Sequence, residues 1–140
     1  MAEGRRRILL VEDDDDHVFL IRRALADVEG VAVAIEVVGD GEQAVERLTR
    51  SRFEPEGRPQ LVLLDLKMPR MDGLEVLRRL RADEAARGLP VVVLTSSERP
   101  EDREEAVALG ASWFVCKPTD GRRLRSEIQQ LAAHWSRVTA

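Results

Sequence analysis

A chain of 140 residues, 44% hydrophobic and 34% charged, can fill one core and keep a charged surface, which excludes disorder and leaves no room for two ordinary domains. Aromatics are only 4% with no Tyr, so the core is expected to be aliphatic, and a net charge of −4 excludes nucleic acid as the main partner, because phosphate binding needs a net basic surface. The single cysteine, Cys116, cannot close an internal disulfide, and the apolar runs fall far below membrane-spanning length, so the expectation is a cytoplasmic domain with no membrane partner.

Arg7–Val11 reads as a first strand. Arg5–Arg7 ahead of an apolar stretch imitates a signal peptide, but the acidic tract Glu12–Asp16 cuts the apolar region short. A helix is expected over Asp14–Val28, where Ile21, Leu25 and Val28 recur at helical spacing. A strand over Val31–Val38 and a helix over Gly41–Arg50 follow, then an enlarged loop, Ser51–Gln60, marked by Pro55, Gly57 and Pro59. Leu61–Leu64 and Val91–Leu94 are continuously apolar, the pattern of strands covered on both faces, with a helix over Gly73–Ala82 between them. Pro100 suits a first helical turn and Gly110 the end of the same helix, Pro100–Leu109; Trp113–Cys116 then reads as a strand and Thr119–Arg137 as the last helix. Five strand–helix units with covered strands imply an α/β fold built on a doubly wound parallel sheet.

In such a sheet, chemistry belongs at the carboxyl ends of the strands. Glu12 and Asp13 follow the first strand, Asp65 the third, Thr95 the fourth and Lys117 the fifth. Each has an ordinary reading: Asp14–Asp16 suit a helix start, Asp65 a turn, Thr95 a β-former, Lys117 a surface lysine and Pro118 a helix opener. Taken singly these suffice, but they leave the joint placement at strand ends unexplained. Carboxylates brought together repel one another, and a hard divalent cation held through oxygen relieves that repulsion; Mg2+ fits. A lysine and a hydroxyl opposite the metal can hold phosphoryl oxygens, and an aspartate can act as nucleophile, so the set is suited to metal-assisted phosphoryl transfer.

Four runs carry a resemblance: Ile8–Asp14 (ILLVEDD), Leu63–Gly73 (LLDLKMPRMDG), Val92–Ser96 (VVLTS) and Gly110–Pro118 (GASWFVCKP). In this order and spacing they resemble the CheY-like receiver domain of two-component response regulators, over about Arg7 to Leu131. The resemblance implies five strands in the order 2-1-3-4-5 and a single receiver domain over 1–140, with a core over about 7–131 and a helical extension over 132–140. It implies that Asp65 accepts a phosphoryl group from a sensor histidine kinase or a phosphotransfer protein, and that Glu12, Asp13, Asp65 and the backbone carbonyl of Lys67 hold Mg2+. Asp14 stays open as the alternative to Asp13. Thr95 is similar to the switch hydroxyl, Lys117 to the lysine that balances phosphoryl charge, and Pro118 to a proline preceded by a cis peptide. Lys67 and Ser97 occupy positions that tune phosphoryl lifetime in the family.

One departure is Phe114 at the aromatic switch position, where Tyr is frequent, so its rotation would be apolar packing without a hydroxyl bond. The Leu-Val-Glu-Asp-Asp opening, the enlarged loop and the tail containing Trp135 are similar to small stand-alone regulators paired with phytochrome-type kinases, which act on downstream target proteins. Two rivals share parts of this pattern. A haloacid-dehalogenase-type phosphatase wants a second Asp where Lys67 stands, and a flavodoxin-like module wants a phosphate loop where the acidic tract stands. Leu124, Ile128, Leu131, Trp135 and Val138 form one apolar seam on the last helix. The first three suit the core, whereas Trp135 extends it toward a homodimer through the fourth helix, fifth strand and fifth helix, a face many receivers use.

Overall fold

The computed structural model describes residues 5–26, 32–50, 58–84, 86–96, 99–118 and 120–139. Along the chain run β1 (Arg5–Val11), α1 (Asp15–Ala26), β2 (Ala32–Val38), α2 (Gly41–Arg50), β3 (Leu61–Leu64), α3 (Gly73–Ala82), β4 (Val91–Thr95), α4 (Pro100–Ala108), β5 (Trp113–Cys116) and α5 (Gly121–Thr139). All strand pairs are parallel and the order is β2-β1-β3-β4-β5, as expected. The enlarged loop lies mostly outside the described residues, as do Val28 and Val31. Among the described residues no helix is long and apolar enough to cross a membrane.

The strand pleat sorts the apolar residues into two cores. Leu9, Val11, Val62, Leu64, Val91 and Val93 face one side of the sheet and pack with Leu48, Val76, Leu77, Leu80 and Ala106 from α2, α3 and α4. Ile8, Leu10, Leu61, Leu63, Val92 and Leu94 face the other and pack with Ile21, Leu25, Leu124, Ile128 and Leu131 from α1 and α5. β3 and β4 are buried throughout, which is why their runs are continuously apolar, while β5 is an edge strand and only partly covered. The seam of α5 thus divides as expected at its start: Leu124, Ile128 and Leu131 are core. Trp135 and Val138 lie within α5, their side chains outside the described set.

Local chemistry sets the helix ends beside the sheet's carboxyl edge. The Asp14 carboxylate accepts the Asp16 amide at 2.9 Å and so caps α1, and the Asp72 carboxylate accepts the Glu75 amide at 3.0 Å and caps α3. At the opposite edge the Arg81 guanidinium donates to the carbonyls of Leu109 (2.9 Å), Gly110 (2.9 Å), Arg87 (2.8 Å) and Leu89 (3.0 Å), tying the end of α3 to the end of α4 and the approach to β4.

The loop after β3 closes back on its own strand through Gly73. Its amide donates to the Leu66 carbonyl at 2.9 Å, and a Cβ there would stand 2.4 Å from the Asp65 carbonyl oxygen and 2.7 Å from Leu66 Cα. Both obstacles are backbone, so neither can swing aside. Gly73→Ala is therefore expected to lower the unfolding free energy by about 1–3 kcal/mol, measured as a lower denaturant midpoint at unchanged slope.

Candidate functional site

The four segments that end β1, β3, β4 and β5 converge on one acidic pocket. Glu12 continues β1, its amide donating to the Val38 carbonyl at 3.1 Å, and Asp65 continues β3, its amide donating to the Val11 carbonyl at 3.1 Å. These bonds extend the parallel ladder by one residue and place both side chains at the sheet's edge. Glu12 and Asp65 are buried, whereas Asp13 between them is exposed; one carboxylate oxygen from each lies within 4.8 Å of the others. All donors are carboxylate oxygens, the set a hard divalent ion takes, so the cluster fits Mg2+. Asp14 is turned to other work: its carboxylate caps α1, and the Asp16 amide holds it below the usual carboxylate range.

Lys117 supplies the countercharge. Its amide donates to the Thr95 carbonyl at 2.7 Å, keeping the chain in the β4–β5 ladder one residue past β5. Its side chain is only 3% exposed, and the ammonium donates to Glu12 Oε1 and, at 3.2 Å, to Asp65 Oδ2. Burial raises the Glu12 carboxyl above its ordinary 4.5, and the Lys117 ammonium offsets part of that rise. Thr95 is fully buried at the end of β4. The Lys67 amide donates to Asp65 Oδ1 at 3.1 Å, and its exposed side chain borders a groove of about 560 Å3 lined also by Asp13, Arg99 and Asp102.

Phe114 on β5 is partly buried against the α2–α4 core, with the Arg103 guanidinium 5.8 Å from its ring centre. Ser97 lies outside the described residues. Pro118 corrects an expectation: no peptide bond among the described residues is cis, so Lys117–Pro118 is trans. Trans is the intrinsically favoured X–Pro isomer by roughly 0.5–1 kcal/mol, and the trans chain already delivers the Lys117 ammonium to both carboxylates.

His17 was not among the expected site residues. Its Nδ1 lies 3.0 Å from Lys117 Nζ and accepts there, because an ammonium only donates; it is also 3.8 Å from Glu12 Oε2. The signal was weak, a histidine three residues after the helix cap Asp14, on a helix whose inward face the sequence pattern assigned to apolar residues.

The comparisons agree with this geometry. Residues 8–129 match the response regulator receiver domain family. The chain belongs to that family: it is a receiver domain of the two-component type, whose members are phosphoacceptors that work with histidine kinases and downstream targets. It is 35% identical over 134 residues to the probable methanogenesis regulatory protein FilR2 of Methanothrix harundinacea, covering 96% of this chain and 86% of that one. It spans about half (51%) of the length of DNA-binding regulators that it also matches. Among solved structures, the phosphorylated cyanobacterial phytochrome response regulator RcpA superposes with a TM-score of 0.86 at 32% identity, over 94% of both chains. The Mn2+-bound form of response regulator Rcp1 superposes at 0.84 with 29% identity, over 93% of this chain and 94% of that one.

Because Lys117 is the buried cation of this cluster, Lys117→Met leaves the Glu12 and Asp65 carboxylates without their shared partner. The variant is expected to lose about 3 kcal/mol of stability without metal. Mg2+ should raise its melting temperature by more than it raises that of the wild type, read from thermal melts with and without the ion.

Proposed function

We propose that Asp65 is the phosphoryl acceptor of this receiver, taking the group from the phosphohistidine of a sensor kinase or phosphotransfer protein. The observation that carries this is the placement of one buried aspartate among Glu12, Asp13 and the Lys117 ammonium at the end of a central strand. An Asp65 oxygen attacks phosphorus, a P–O bond forms, the P–N bond breaks and the electron pair leaves on the imidazole nitrogen. Glu12, Asp13, Asp65 and the Lys67 carbonyl hold Mg2+, which when bound neutralises phosphoryl oxygen charge. Lys117 exchanges part of its contact with Asp65 for a phosphoryl oxygen, and Thr95 donates its hydroxyl to another. Thr95 thereby draws toward the acceptor, and Phe114 follows into the space vacated beside α4. The Lys67 ammonium, two residues past the acceptor, shields the phosphoryl group from in-line water.

Treatment with acetyl phosphate and Mg2+, followed by mass spectrometry, tests this assignment. The wild type should gain one phosphoryl group, Asp65→Asn should gain none, and Lys67→Ala should gain one that decays faster. Undiminished labelling of Asp65→Asn would refute the acceptor.

The likeness to RcpA, and to the bacteriophytochrome response regulator RtBRR at 37% identity with a TM-score of 0.73, supports a phytochrome-type kinase as the donor. We read the chain as one cytoplasmic receiver domain with a helical extension, acting on a partner protein rather than turning over a substrate.

The same reading includes a homodimer through α4, β5 and α5. Trp113 is 48% exposed on β5, its ring centre 5.4 Å from that of His134, beside a groove of about 920 Å3 between β5 and α5. Trp135 lies one residue further along α5. Sedimentation at high micromolar concentration should show the wild type self-associating and Trp135→Ala shifted to monomer. A monomeric wild type, with and without a phosphoryl mimic, would leave a heterologous partner on this face.

A further inference from the structure

Three carboxylates are buried among the described residues: Glu12, Asp65 and Asp40. The first two belong to the acidic pocket. Asp40 stands apart, between β2 and α2, and its two oxygens do different things. Oδ1 accepts the Gln43 amide at 2.8 Å and caps α2, while Oδ2 is paired with the guanidinium of Arg70, from the loop after β3.

Arg70 is the one non-glycine residue with positive φ (68°) among those described. The Met71 amide donates to the Pro69 carbonyl at 2.8 Å, which makes Arg70 the centre of a γ-turn of the rare, strained hand. Glycine or asparagine would enter this conformation more readily than arginine. What the arginine adds is its charge, delivered to a carboxylate that is itself almost wholly covered. The two loops meet closely there, since a Cβ on Gly41 would stand 2.4 Å from the Met71 carbonyl oxygen.

The loop between Asp65 and Gly73 is therefore held at three places. At its start the Lys67 amide donates to Asp65 Oδ1, and at its end the Gly73 amide donates to the Leu66 carbonyl. Its apex is held by the ion pair of Arg70 with Asp40. The Lys67 carbonyl follows directly on the first anchor, three residues before the apex at Arg70.

We propose that Arg70 and Asp40 are positioning residues for the metal site: their ion pair holds the strained turn in place and so fixes the Lys67 carbonyl and the Asp65 carboxylate for a divalent ion. This rests on the metal role proposed above for the Lys67 carbonyl. Neither residue touches the ion. Their effect passes through the backbone of the loop, as outer-sphere partners commonly act on metal ligands.

The test is Mn2+ affinity, followed by electron paramagnetic resonance of the free ion, alongside metal-free thermal melts. Arg70→Ala and Asp40→Asn are each expected to bind Mn2+ about three- to tenfold more weakly, below the usual outer-sphere effect because neither residue bonds to a ligand directly. Asp40→Asn keeps an oxygen to cap α2. The double variant should bind no more weakly than either single one, because both remove the same interaction. Arg70→Lys should recover part of the loss. Arg70→Gly removes both the ion pair and the strain that the pair opposes, so it should lose less affinity than Arg70→Ala.

Wild-type affinity in Arg70→Ala or in Asp40→Asn would overturn the proposal, even if the variant melts at a lower temperature, since that pattern belongs to a purely structural pair. Additive losses in the double variant would also overturn it. A wild type that binds no Mn2+ would overturn the metal site itself, an outcome distinct from the others.

Discussion

Everything at the carboxyl edge of this sheet depends on how three carboxylates are kept together without unfolding the strands that carry them. Lys117 provides the answer within the protein. Its ammonium, almost wholly covered, donates to Glu12 on the β1 side and to Asp65 on the β3 side. The strand order makes this reach necessary: β4 lies between β3 and β5, so the countercharge has to cross from the sheet's edge to its centre. A long, flexible side chain does so where a short one could not. Burial alone would push Glu12 toward its neutral form, and the same ammonium opposes that push.

The two faces of the sheet contribute differently. On the α1–α5 side, His17 gives the Lys117 ammonium its third acceptor, so the cation is saturated by hydrogen bonds as well as balanced in charge. On the other side, Arg81 ties the far end of α4 to α3 and to the approach to β4 through four carbonyls. The near end of α4 starts at Pro100 after Arg99, without a side-chain cap.

Much of this was legible in the chain, for reasons that can be named. β3 and β4 read as covered strands because four-residue apolar runs have no other stable place than between two layers. Glu12, Asp65, Thr95 and Lys117 stood out as candidates because parallel α/β sheets put chemistry at strand ends, a rule of position that needs no distances. Asp13 against Asp14 could not be decided from adjacency: the distinction arose when Asp14 was taken up by the amides of α1, a competition between capping and clustering.

Alternation of strand and helix, the covered central strands and the roster of charged groups at strand ends follow from the sequence by itself, because periodicity and position are properties of a chain. Which carboxylate pairs with which cation does not. His17 with Lys117, and Arg70 with Asp40, join residues 100 and 30 positions apart, brought together by the crossovers of the parallel sheet. Arginine at a positive φ looks like an error in the local code. Only the tertiary structure explains it, by placing a buried carboxylate within reach of its guanidinium, where an ion pair can hold a turn that the backbone alone would not favour.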